Sequence, residues 1–94
     1  MGKHYVVIYT DIADGDMTLY VKGVFHDFPH AKACFDVAAQ EVRNIADKED
    51  LVIDDSYFSE MEPQLTAYEE GYSSENCVNA RIVEVVDNLS TSEF

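Results

Sequence analysis

Positive charge is scarce in this chain. Six Lys and Arg stand against nineteen Asp and Glu in 94 residues, a formal net charge of −13 at neutral pH. The six (Lys3, Lys22, Lys32, Arg43, Lys48 and Arg81) are scattered and form no stripe that could follow a phosphate backbone. Direct nucleic-acid binding by the chain is therefore not expected. Long apolar runs are also lacking: nothing approaches the roughly 18 residues of a membrane helix, and the opening MGKHYVVIYT has no secretory signal pattern. Val6 stands where a myristoylation motif needs Ser or Thr. These absences predict a soluble, cytoplasmic chain with no membrane partner.

Cysteine is nearly absent. Cys34 and Cys77 are the only thiols, too few for a disulfide framework, and are expected to be reduced. Catalytic patterns are missing as well. Gly15, Gly23 and Gly71 make no phosphate-cradling loop. No serine sits in a nucleophile elbow, and the scattered carboxylates single out no acid–base pair. The DIADGD segment fails as a calcium loop, because Ala13, Gly15 and Lys22 stand where oxygen ligands would be required. The expectation is a non-enzymatic protein with no metal and no cofactor.

What is present is enough to fold. Apolar residues make up 47% of the chain, which suits one modest core and excludes both a disordered chain and two domains. HYVVIYT, from His4 to Thr10, is β-branched and aromatic on both faces and reads as a central strand. Asp14-Gly15 supplies a hairpin turn. Met17 to Phe25 follows as the second strand, with Leu19, Val21 and Phe25 set against Thr18, Tyr20 and Lys22 and with Gly23 marking a bulge.

The period then changes to about 3.6. Ala31, Phe35, Ala38, Val42 and Ile45 form the apolar stripe of a helix from about Phe28 to Asp47, capped by Asp27 and tolerant of Pro29 in its first turn. Small Ala38 and Ala39 allow close approach to a sheet. Asp47 to Pro63 fits either a short strand with a short helix or an irregular acidic connection. QLTAYEEGY and ARIVEVVD read as two more strands. The expected fold is α+β: a single-layer antiparallel sheet of about four strands, ordered β-β-α-β-β, with one long helix across one face. Residues 1–87 form the domain and 88–94 a flexible tail.

The segment HDFPHAKAC places His26, His30 and Cys34 at four-residue intervals, which raises the question of a metal site. With Asp27 as cap, His26 precedes the helix, Cys34 borders its apolar stripe and His30 faces water. Three or four convergent ligands are not available, so no metal is expected there.

Charge is unevenly distributed. Residues 1–46 carry four cations against six carboxylates, net −2, whereas residues 47–94 carry two against thirteen, net −11. Such a surface repels itself, and a basic partner would relieve that cost on binding. Tyrosines among the carboxylates suit an interface, offering contact area with a polar tip. The candidate partner-binding set is Asp47, Glu49, Asp50, Asp54, Asp55, Glu60, Glu62, Tyr68, Glu69, Glu70, Tyr72 and Glu75. In size and acidity the chain resembles small phage-encoded anti-defence proteins, including anti-CRISPR and anti-restriction DNA mimics; the resemblance rests on no motif and carries over no residue. It implies an inhibitor that occupies the basic nucleic-acid-binding surface of a protein. The alternative is an assembly module that homodimerises through a sheet edge.

Overall fold

A computed structural model describes residues 3–55, 62–71 and 76–86. Strand β1 (Lys3–Ala13) pairs with β2 (Asp16–Phe25) through a two-residue turn in which Asp14 and Gly15 both have positive φ, 53° and 84°. Two such residues match the right-handed twist of the strands they join, and a short Asp and a glycine supply them at low steric cost. Helix α1 (Phe28–Glu49) follows, then β3 (Val52–Asp54), β4 (Gln64–Tyr68) and β5 (Cys77–Val86). The five strands form one sheet in the order β2-β1-β5-β4-β3, and every neighbouring pair is antiparallel.

The α+β class agrees with the sequence pattern, but the strand count does not. The sheet has five strands, not four, in the order β-β-α-β-β-β, because Val52-Ile53-Asp54 joins the edge beside β4. The helix runs two residues beyond the expected Asp47, to Glu49. Residues 56–61 of the ambiguous acidic connection, and the proposed tail, lie outside the described residues.

One face of the sheet is covered. Tyr5, Val7 and Tyr9 of β1, Leu65 and Ala67 of β4, and Val78, Ala80 and Ile82 of β5 meet Ala31, Phe35, Ala38, Ala39, Val42 and Ala46 of α1 in the core. Four of these six helical residues are alanine, so the helix backbone lies close to the strands. Fixed alternation on β1, β4 and β5 follows from the two-residue period of a strand.

β2 departs from that alternation. Val7 pairs with Gly23 but Ile8 pairs with Val21, so Lys22 is an extra residue in a β-bulge. The bulge reverses the alternation, and Phe25 therefore points into the core while Leu19 and Val21 point away from it. This corrects the expectation that the three share a face. Lys22 turns to the helix side, 3.5 Å from the Glu41 carboxylate and over the Tyr9 ring. Gly23 is needed beside it: a Cβ there would lie 2.6 Å from Cε2 of the Phe25 ring. Gly23→Ala must displace that ring from the core edge, and thermal unfolding should show a loss of about 1–3 kcal/mol. An unchanged melting curve would show that the ring has room to move.

Asp27 is the N-cap, its Oδ1 accepting a 2.9 Å hydrogen bond from the His30 backbone N–H. That bond, followed by the 2.7 Å contact of its carboxylate with the His30 ring, holds the Asp27 carboxyl below its ordinary pKa. A folded-state pKa below the unfolded one makes the cap's contribution complete at neutral pH. It is lost as pH falls, first through the unfolded value near about 4 and then through the folded one. Asp27→Ala should accordingly melt earlier than wild type at pH 7, and the gap between the two should close as the pH of the melt is taken from 5 towards 2.

Candidate functional site

The topology collects carboxylates at one end. β1 and β4 end there, β3 and β5 begin there, β2 starts from the hairpin turn, and α1 terminates beside them. The consequence is an acidic pole: Asp11, Asp14 and Asp16 from the hairpin, Asp47, Glu49 and Asp50 from the helix end, and Glu69 and Glu70 after β4. Among the described residues at this end the opposing cation is Lys48. The helix adds to the negative field, since its C-terminus carries the negative end of the backbone dipole.

Local chemistry fixes the pole. Asp50 ends the helix in a left-handed conformation, φ 57°, and its N–H reaches the Ala46 carbonyl. Leu51 N–H donates to the same carbonyl at 2.8 Å, while the Leu51 side chain packs against the core. This is a Schellman-type stop, and an aspartate tolerates it better than a larger residue would. Across the pole, the Asp14 N–H donates to Asn76 Oδ1 at 3.2 Å and the Glu69 N–H to the Asn76 carbonyl at 3.1 Å. Asn76 thus ties the hairpin tip and the end of β4 to the start of β5.

Between these ends lies an open hollow of about 500 Å³, lined on its rim by Asp11, Glu49, Asp50 and Glu69 and on its floor by Ile45, Leu51 and Val78. Nearby groups respond to it. Burial first, then the charge of Asp11, raises the Cys77 thiol above its ordinary pKa. Burial, followed by Asp11 and Glu41, pushes the Tyr9 hydroxyl up to about 12.

The predicted binding residues divide. Asp47, Glu49, Asp50, Glu69 and Glu70 belong to the pole. Asp54 and Asp55 lie further along the β3 edge, and Asp55 lines a separate hollow with Lys32, Asp36 and Arg43 of the helix. Glu62 stands towards the opposite end, half-buried, with a carboxylate oxygen accepting from the Glu84 N–H at 3.4 Å. Tyr68 is half-buried on β4, opposite Val52 and Cys77. Glu60, Tyr72 and Glu75 lie outside the described residues. Asp11, Asp14 and Asp16 were legible only as turn residues; no local pattern joins them to a helix end over thirty residues away.

A second surface was missed. No described element packs on the far face of the sheet, where β2 presents Met17, Leu19, Val21 and Val24 at 54–64% exposure. They sit beside Val6 and Ile8 of β1, which are half-buried, and Val83 and Val85 of β5. The signal was present in HYVVIYT, whose two apolar faces cannot both be served by one helix.

The histidines and Cys34 do not converge. His26 packs against His4 with the rings tilted at 54° and their centroids 4.8 Å apart, His30 holds Asp27, and Cys34 lies half-buried under Gly23. Burial raises the Cys34 thiol against the opposing effect of Lys22. Among the described residues no three His, Cys, Asp or Glu side chains gather as a metal site would. No helix among them is long and apolar enough to cross a membrane. Compared with family models, curated proteins and solved structures, the chain matches none.

Proposed function

We propose that this protein acts by binding rather than by catalysis, as a small acidic inhibitor or adaptor whose pole occupies the basic, nucleic-acid-binding surface of a protein partner. Such a role is of the phage or mobile-element anti-defence kind. The observation that carries the reading is the convergence of eight carboxylates (Asp11, Asp14, Asp16, Asp47, Glu49, Asp50, Glu69 and Glu70) from the hairpin, the helix end and the end of β4 on one end of a folded scaffold. Both thiols have raised pKa values, the wrong direction for a nucleophile near neutral pH.

The test is affinity capture from the native host. The expected catch is a nucleic-acid-binding protein that elutes as salt rises and is displaced by DNA or RNA, because a surface charge interaction is screened over about 8 Å at physiological ionic strength. A partner that holds on indifferently to salt, or that binds DNA and this chain together, would sink the reading.

A second reading, homodimerisation through a sheet edge, draws on β2, a ten-residue edge strand with no further partner among the described residues. The Lys22 bulge on that same edge is a feature that discourages pairing.

A further inference from the structure

We infer that the sheet face on which no described element packs is a docking surface for a second copy of this chain, packed face to face. The apolar centre is Met17, Leu19, Val21 and Val24 with Ile8 and Val83. Around it stand neutral or basic groups: His4, Thr10, Asn79 and Arg81. An apolar centre within a polar margin that includes arginine is the anatomy of a protein interface. Isolated monomers seldom leave a continuous apolar patch of more than a few hundred Å².

Charge selects the occupant. β1, β2 and β5 place no carboxylate on this face, because alternation sends Asp11, Asp16 and Glu84 to the other side. Two chains of formal charge −13 repel each other on any other approach, so this is the surface on which like can meet like. A basic protein would be drawn to the pole instead, and an anionic membrane would repel the chain as a whole. The area suffices. Three strands of about ten residues cover roughly 33 by 14 Å, about 460 Å² in projection and more as the accessible surface of protruding side chains. With the margin on β4 this approaches the about 800 Å² per partner of a standard interface.

Symmetry sets the arrangement. A two-fold axis lying between the sheets and perpendicular to the strands reverses the strand direction, placing the two acidic poles at opposite ends. The same axis parallel to the strands would bring the poles together and is disfavoured. The inference shares with the edge reading only the homodimer, and it does not depend on the function of the pole.

Sedimentation and light scattering of the full chain test it. Wild type should give a concentration-dependent species of twice the 10.6 kDa chain mass, tightening as salt rises because screening relieves the repulsion between copies. Leu19→Lys with Val21→Lys, both at exposed positions of an edge strand, should keep the circular dichroism of the fold and weaken dimerisation about a hundredfold or more by placing charges in the contact. A chain that stays monomeric, whether or not its face captures another protein or a lipid vesicle, overturns the proposal. So does association that continues past two. A dimer that survives the double substitution with the outward amides of β2 protected from hydrogen exchange assigns the contact to the edge and rejects the face.

Discussion

Ile82→Ala should lower stability by about 2–4 kcal/mol. Ile82 lies on β5, the central strand, 1% exposed, paired with Val7, and its N–H donates to the Pro63 carbonyl at 3.1 Å. Truncation leaves a void between the sheet and an alanine-rich helix surface whose short side chains cannot reach in to fill it. A chain of this length has roughly 5–14 kcal/mol of stability in all, so the loss is a large fraction. The melting temperature should fall by about 10–25 °C. Val37→Ala is the contrast: Val37 is 64% exposed on the outer face of α1, and the substitution exchanges a β-branched residue for the best helix former. It should move stability by no more than about 0.5 kcal/mol, in either direction. Equal losses from the two would mean that α1 does not pack on the sheet as described.

How much of this was readable beforehand follows from the range over which each feature is determined. The helix was legible because its stripe and its Asp27 cap lie within one segment, and β1 was legible as a strand because its residues are β-branched and aromatic throughout, though with both faces apolar nothing local says which one meets the helix. The bulge at Lys22 was half legible. Gly23 marked the place, but whether Phe25 or Leu19 faces inward depends on one unpaired residue, and slipping a strand by one reverses every side chain beyond it. β3 was obscure because three residues flanked by carboxylates have no periodicity of their own; they become a strand by pairing with β4. The acidic pole was the least readable feature. Residues 11–16, 47–50 and 69–70 are brought together only when β5 inserts between β1 and β4 and the helix ends at the same end of the sheet. Counting charges by sequence halves locates the excess along the chain; the fold gathers part of it, together with the hairpin carboxylates, at one end of the sheet.

That difference can be measured. In binding to the captured basic partner, the variant D47N/E49Q/D50N/E69Q/E70Q should lose affinity by on the order of thirtyfold at physiological salt. Each carboxylate facing a basic surface at several ångströms, partly screened, contributes about 0.3–0.6 kcal/mol, and five sum to roughly 2 kcal/mol. The loss should shrink as salt rises, because the interaction removed is the one that salt already screens. D36N/D54N/D55N removes carboxylates from the helix flank and the β3 edge, and should change Kd by less than about threefold if the pole makes the contact. Unfolding cannot imitate this outcome. Neutralising Asp47, Glu49 and Asp50 removes negative charge from the negative end of a helix dipole and from its neighbours, so the five-residue variant should melt higher than wild type while binding more weakly. Stability and affinity moving in opposite directions would mark the carboxylates as kept for a partner at a cost to the fold. Equal losses per charge from pole and flank would instead mean that net charge alone draws the partner, and that the convergence of strand ends has no part in it.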